Sequence, residues 1–371
     1  MRVFAQSDVG QTREHNEDSF LVADLSADRA SLAPEVQTHA LGPHGTLFMV
    51  ADGLGGAAAG EIASQMAVDT VLEELRKHWR DASRVSPDAF ATALQAAAET
   101  ANARIYAYAL THPEHRGLGT TATIAGALHD TLYIVQVGDS RAYLVRGGRI
   151  QQLTRDQSLM QQLIDAGEIT PEEAEHSDRR NIILQALGPD PVVKIDLTFQ
   201  PLRRGDTLVL CTDGLSGLVR AEEMAAVVAQ EEELSAVCAR LIAMANDRGG
   251  PDNITVVVAR FGGGGLSDVA AGDRVGHAAY PPSRGGSGEW SVMQQPNGRQ
   301  TTPWMAQPLI ASDDAPPARR RNLDRGSRAL FLAIIATAIL LGLVLIVHEI
   351  SHAGAANAGN TPAAADSAQA P

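Results

Sequence analysis

Leu47-Phe48-Met49-Val50-Ala51 leads straight into Asp52-Gly53-Leu54-Gly55-Gly56. A short unbroken apolar run bounded by glycine reads as a strand buried on both faces, and the aspartate stands where the chain leaves that strand. The arrangement recurs. Ile134-Val135-Gln136-Val137-Gly138 runs into Asp139-Ser140, and Leu208-Val209-Leu210-Cys211-Thr212 runs into Asp213-Gly214. Asp252-Asn253 stands in the reverse sense, before the apolar stretch Ile254 to Ala259. If these strand ends meet at one edge of packed sheets, several carboxylates converge. Crowded anions repel strongly unless divalent cations lie between them, and a ligand set made of oxygen alone suits Mg²⁺ or Mn²⁺ rather than Zn²⁺. The glycines after Asp52 and Asp213 are expected to free a backbone carbonyl to point at an ion. A single Asp-Gly pair is an ordinary turn; the recurrence at strand ends is what suggests a site.

Outward from these strands the pattern is that of an α+β fold. Arg2 to Ser7, Ser19 to Ala23 and Leu47 to Ala51 read as strands, as do Thr121 to Leu128, Leu132 to Val137 and Ala142 to Val145. Gly147-Gly148 is expected to turn the last of these into Ile150 to Leu153. Val68, Val71, Leu72, Leu75 and Trp79 follow helical spacing. So do Phe90, Leu94, Ala97, Ala101, Ile105 and Tyr108, in a helix opened by Ser86 with Pro87 in its first turn. Thr170, Pro171 and Glu173 predict a capping box on a short helix. Strands at Val192 to Phe199, Thr207 to Cys211 and Ile254 to Arg260, and helices near Glu222 to Gln230 and Leu234 to Ala245, complete the set. Strands and helices come in blocks, which favours helices packed on the outer faces of largely antiparallel sheets.

A charged segment near the N-terminus, Arg13-Glu14-His15-Asn16-Glu17-Asp18, adds two adjacent acids and an arginine whose planar fork matches phosphate oxygens. The motifs then fall in order: Gly10-Gln11-Thr12-Arg13 with Asn16-Glu17-Asp18, Asp52-Gly53-Leu54-Gly55-Gly56, Gly119-Thr120-Thr121, Val137-Gly138-Asp139-Ser140-Arg141, Thr212-Asp213-Gly214-Leu215, and Asp252-Asn253-Ile254-Thr255. Each alone is weak, but the ordered series resembles the PP2C-type (PPM) metal-dependent serine/threonine phosphatases, bacterial branch, over residues 1 to about 261. Leu153 to Ser158, through Asn181 and Ala186-Leu187-Gly188, is similar to that family's mobile flap.

The resemblance implies an αββα sandwich of two antiparallel sheets flanked by helices. It implies that Asp52 bridges two Mn²⁺ or Mg²⁺ ions and that the Gly53 carbonyl binds one of them. It further implies that Asp213 and Asp252 hold the second ion, that Asp139 with Asp213 offers a weaker third site, and that Glu17, Asp18 and Asn253 act mainly through water on the ions. Arg13 would hold the phosphate as the catalytic arginine. The implied reaction is single-step hydrolysis of phosphoserine or phosphothreonine by a water activated between the ions. Two departures stand out. Leu54 occupies a position where some relatives carry histidine, so a proton for the leaving alkoxide is expected from water, and Gln157 stands in the flap where histidine is frequent.

The whole chain has 371 residues, 44 % of them hydrophobic, and a formal charge of −14, which argues against a nucleic-acid partner. Its two cysteines, Cys211 and Cys238, sit in apolar runs and read as core residues. Cys211 does not open the Cys-x5-Arg loop of a thiol phosphatase, because Gly217 stands at the arginine position. The N-terminus is polar and shows no secretory leader. Residues 262–328 start with Gly262-Gly263-Gly264-Gly265 and read as a flexible linker. Ala329 to Val347 is uncharged and long enough to cross a hydrocarbon core of about 30 Å. Arg319, Arg320, Arg321, Arg325 and Arg328 precede it, and no Lys or Arg follows. That asymmetry predicts one transmembrane helix in the inner (plasma) membrane, a cytoplasmic catalytic domain at 1–261 and a short non-cytoplasmic tail at 348–371. Phosphorylated proteins under the control of a serine/threonine kinase are the expected partners. Two other readings compete: a membrane-tethered phosphoprotein-binding adaptor without turnover, and a dinucleotide enzyme, since Gly53-Leu54-Gly55-Gly56-Ala57-Ala58 fits Gly-x-Gly-x-x-Ala after a strand.

Overall fold

The computed structural model describes residues 1–281 apart from 28, 32–36, 39, 57–58, 80–84 and 116. In chain order its strands are β1 (Arg2–Asp8), β2 (Asp18–Asp24), β3 (Arg29–Ser31), β4 (Gln37–Thr38), β5 (Thr46–Leu54), β6 (Gly119–Thr120), β7 (Ala122–Leu128), β8 (Thr131–Val137), β9 (Arg141–Arg146), β10 (Arg149–Gln152), β11 (Asp196–Pro201), β12 (Thr207–Cys211) and β13 (Ile254–Arg260). Its helices are α1 (Ala59–His78), α2 (Pro87–Thr111), α3 (Leu159–Asp165), α4 (Pro171–Glu175), α5 (Asp213–Ser216), α6 (Ala221–Gln230) and α7 (Leu234–Asp247). One sheet runs β10-β9-β12-β13-β1-β4 and the other β11-β8-β7-β5-β2-β3, with β6 paired to β5. All of these pairings are antiparallel.

Period-two alternation explains why the strands look apolar throughout. Along β13, Val257 and Ala259 enter the layer between the sheets with Phe48, Val50, Leu208 and Leu210. Val256 and Val258, one residue out of phase, pack with Val227 of α6 and Leu241 of α7. Along β5, Leu47, Met49 and Ala51 instead join Val68 and Val71 of α1 and Phe90 and Leu94 of α2. Both faces of each sheet are therefore covered, and a register slip of one residue would exchange the two apolar sets without exposing either. Each fully buried Val or Leu contributes about 1.5–3 kcal/mol.

Local signals act as expected at several points. The Ser86 side chain accepts from the Ala89 amide at 3.3 Å, with Pro87 starting α2. Thr170 and Glu173 form the reciprocal capping box on α4. Gly147 and Gly148, at φ 57° and 77°, make the tight turn between β9 and β10 that L-residues with side chains resist. Cys211 and Cys238 are buried free thiols.

Other expectations are corrected. The strand predicted from Val192 begins only at Asp196, because Pro189 and Pro191 immediately precede Val192, which is left 82 % exposed. Asp52 does not sit in a turn: β5 continues through it to Leu54, and it pairs directly across from Asp18. Asp213 opens the short helix α5 rather than a loose turn. The dinucleotide reading fails, because β5 lies between β2 and β7 with antiparallel pairing on both sides and has no parallel βαβ neighbour.

The segment expected to begin a flexible linker at residue 262 instead packs onto the domain as far as Pro281. Leu266 and Ala278 are buried. The Phe199 amide donates to the Ala278 carbonyl at 3.0 Å and the Tyr280 amide to Leu197 at 2.9 Å, so this strap covers the open edge of β11. The Arg203 guanidinium grips Asp273 at 2.8 and 2.9 Å, and the Tyr280 ring stands edge-on to Tyr133 and Phe199. The rest of the expected linker, the apolar run 329–347 and the tail 348–371 lie outside the described residues. Among the described residues no helix is long and apolar enough to cross a membrane.

Candidate metal centre

The alternation that buries Phe20 and Val22 of β2 and Phe48 and Val50 of β5 between the sheets carries on to Asp18 and Asp52, next on the same faces. Two carboxylates are thus set opposite each other at the rim of the inter-sheet core, a placement that is repulsive unless something compensates. Asp139 enters from the turn between β8 and β9, Asp213 from the start of α5, and Asp252 from the residues before β13. These five acids act on one another. Burial and repulsion from Asp18, Asp213, Asp139 and Asp252 push the Asp52 carboxyl well above the usual range. Burial, with repulsion from Asp213 and Asp156, pushes Asp139 up to about 8. Burial also pushes Asp18 up to about 7, although hydrogen bonds from Thr255 and Thr212 oppose the shift and Asp213 and Asp252 add to it. Asp213 is raised by burial and by Asp252, against a hydrogen bond with Asp52.

The rim is held in place by hydroxyl groups that the sequence motifs contained without assigning them work. Thr121 Oγ1 accepts from the Asp52 amide at 2.9 Å, and Thr120 Oγ1 donates to the Asp52 carbonyl at 2.8 Å. Thr212 Oγ1 donates to Asp18 Oδ2 at 2.8 Å and accepts from the Thr255 amide at 3.0 Å. Gln136 Nε2 donates to the Gly138 and Ser140 carbonyls at 3.0 and 2.8 Å beneath the Asp139 turn.

Gly53 and Gly214 matter for a reason other than the one expected. Neither adopts a positive φ. A Cβ on Gly53 would lie 2.3 Å from the Gly60 carbonyl oxygen and 2.6 Å from that of Glu17, and one on Gly214 would lie 2.0 Å from the Asn253 carbonyl oxygen. Glycine is required because backbones meet there, which draws the acid-bearing segments together.

Asn253 and Glu17 also have structural contacts of their own. The Asn253 side chain accepts from the Glu17 amide at 2.8 Å and donates to the Val9 and His15 carbonyls, each at 2.9 Å. Its amide pins the loop that carries Arg13, Glu17 and Asp18. The Glu17 carboxylate lies over Gly60, where a Cβ would come within 2.2 Å of Oε2, and burial raises its pKa. Arg13 reaches the cluster and donates to Asp252 Oδ2 at 2.8 Å, while its guanidinium is 48 % exposed.

Among the described residues no three His, Cys, Asp or Glu side chains stand as a finished ligand cage. The donor set nonetheless fits hard divalent ions. It is all oxygen, it is more acidic than its surroundings can neutralise, and Asp139 Oδ1 and Asp213 Oδ1 are buried without a hydrogen-bond partner. Arg13 pairs with Asp252, and Arg141, whose charge also acts on Asp139 and Asp213, is turned to Asp156 at 2.6 Å.

Comparison with known proteins agrees with this geometry. Residues 36–255 match the family model described as protein phosphatase 2C. The chain is 35 % identical over 254 residues to the serine/threonine phosphatase stp of Listeria innocua, covering 68 % of this chain and 93 % of that protein. It is 38 % identical over 259 residues to the serine/threonine protein phosphatase PstP of Mycobacterium tuberculosis, covering 70 % of this chain and 45 % of that protein. The catalytic domain of PstP crystallised with two manganese ions superposes with a TM-score of 0.57 at 34 % identity, over 71 % of this chain and all of that one.

Proposed function

The chain belongs to the protein phosphatase 2C family, and on that premise we propose that it removes phosphate from phosphoserine and phosphothreonine of cytoplasmic proteins, opposing a serine/threonine kinase. One observation carries the reading. Asp18, Asp52, Asp139 and Asp213 are gathered at one rim, each pushed up in pKa by burial and by its neighbours, and two of their oxygens are buried without a partner. Asp52, the Gly53 carbonyl, Asp213 and Asp252 would hold two Mn²⁺ or Mg²⁺ ions, with Asp139 and Asp213 the donors for a weaker third. Bound there, such ions supply Lewis acidity, lower the pKa of water and neutralise phosphoryl charge.

The residues of the chain do the rest. Arg13, half-exposed beside Asp252, presents its fork to the phosphoryl oxygens and holds the group against the acid cluster. Asn253 fixes the loop that aims Arg13, and Thr212 and Thr121 hold Asp18 and the Asp52 backbone in register. Leu54 offers no proton, so the leaving alkoxide takes one from water. The apolar run at 329–347 supports a single-pass tether that keeps the domain at the cytoplasmic face of the inner membrane.

The test is phosphate release from a phosphothreonine peptide by the full chain with and without Mn²⁺, set against Asp252→Asn. Mn²⁺-dependent release that the substitution abolishes is expected. A variant as active as the parent would overturn the site. Mn²⁺ binding without any turnover by the parent would favour the adaptor reading.

A further inference from the structure

Resting on the reading above, we propose that Gln157 is a positioning residue for Asp139: its side chain ties the turn that carries this carboxylate to the flap and to the start of β11. Asp139 is 6 % exposed, and its Oδ1 has no hydrogen-bond partner, so its aim is set by the backbone that bears it. That backbone is tightly constrained. Gly138 has φ 96°, and a Cβ there would lie 2.8 Å from Thr121 Cβ. The peptide groups around Gly138 are gripped by Gln157 on both sides. The Gly138 amide donates to Gln157 Oε1 at 3.0 Å, and the Gln157 amide donates to the Gly138 carbonyl at 2.9 Å.

The other end of the side chain is also engaged. Gln157 Nε2 donates to the Lys194 carbonyl at 3.2 Å and to Asp196 Oδ2 at 3.1 Å, and the Gln157 carbonyl accepts from the Leu184 amide at 2.7 Å. Only a primary amide of this length accepts from one segment while donating twice to another. Glutamate would keep the acceptor but set a like charge against Asp196. Methionine would match the volume, keep the two backbone hydrogen bonds and lose the side-chain bonds to Gly138, Lys194 and Asp196. The flap leaves the domain at Gln157 and Leu184 meets its backbone there on return, so the flap, the Asp139 turn and the start of β11 are joined through one residue, with the side chain supplying the link to β11.

The experiment uses the full chain carrying Gln157→Glu, Gln157→Met, Asp139→Asn and the Gln157→Met/Asp139→Asn pair, with thermal melts to establish folding. Two readouts are taken: kcat and KM on a phosphothreonine peptide and on p-nitrophenyl phosphate, and Mn²⁺ binding isotherms without substrate. Groups that orient a metal ligand are worth about 10–100-fold in affinity or rate. Both Gln157 variants should therefore lower kcat about tenfold on both substrates, leave KM within about twofold and weaken the last Mn²⁺ to bind. The pair should be no worse than Asp139→Asn alone, because the two act through one group.

Parental kinetics and isotherms in a folded variant overturn the proposal. So does additivity in the pair, or a rise in KM for the peptide alone, which would make Gln157 a substrate contact. If the parent chain releases no phosphate the functional reading fails, and the isotherms still decide the role of Gln157. Should Gln157→Met fail to fold, Gln157→Glu carries the same comparison.

Discussion

One buried aspartate and a cluster of buried and half-buried ones are treated in opposite ways in this molecule. Asp206, fully buried at the start of the segment that leads into β12, receives Arg146 Nε at 2.8 Å and Nη2 at 2.6 Å, and the Arg203 amide at 2.7 Å. Arg146 also donates to the Pro201 carbonyl at 2.8 Å. Every strong acceptor there meets a donor. At the opposite rim Asp18, Asp52, Asp139 and Asp213 crowd together, with two oxygens unpartnered and one arginine on Asp252. A paired buried carboxylate maintains a fold, whereas a crowd of unpaired ones costs stability that is recovered only when a cation binds.

Substitutions at the two places should therefore separate activity from stability. Asp52→Asn is expected to remove Mn²⁺-dependent turnover entirely while leaving the metal-free melting temperature unchanged or raised, since one member of a repelling set becomes neutral. Asp206→Ala should do the reverse. It strands Arg146 and should cost about 3–5 kcal/mol in denaturant unfolding, with kcat per folded molecule intact. A large stability loss in Asp52→Asn would erase the distinction.

pH sharpens the contrast. The carboxyls of Asp18 and Asp139 are raised in the folded protein from an ordinary 3.8 to about 7 and about 8. Folded protein thus holds protons that the unfolded chain releases near pH 4. Their stabilisation is complete below about 4 and is lost as pH rises through 7 to 8. The metal-free melting temperature should fall between pH 5 and pH 8, and Mn²⁺ should raise it more at pH 8, where the ligands are ionised. A metal-free protein that grows more stable over that interval would contradict the assignment. The smallest effect is expected at the strap: Tyr280→Ala, which removes packing on Tyr133 and Phe199, should cost about 1–2 kcal/mol and leave turnover of folded protein near the parental value.

Much of this was legible before any coordinates. Apolar runs leading to Asp139 and Asp213 marked strand ends, that leading to Asp52 marked the strand but not its end, and Ser86-Pro87 and Gly147-Gly148 marked boundaries, because burial, capping and turn chemistry act over a few residues. The strap was not legible. Gly262 to Gly265 reads as the start of a linker, and nothing local announces that Leu266, Asp273 and Tyr280 find partners on β11 and at its ends. Val192 misled for the related reason that an apolar residue in a strand-like context can be left outside by its neighbouring prolines.

The chain's own order of residues determined which side chains carry the chemistry: the acids at strand ends, Arg13 in its charged loop, and the glycines that cannot be replaced. Only the tertiary structure decided what those residues do to one another. It set Asp18 across from Asp52, showed that Gly53 and Gly214 serve close backbone approach, turned Asn253 into a loop anchor, and drew Gln157 between the Asp139 turn and Asp196. Local patterning is a short-range property of the chain, whereas repulsion, desolvation and backbone contact between residues as distant as Val9 and Asn253, 244 positions apart, exist only after the sheets have closed on each other.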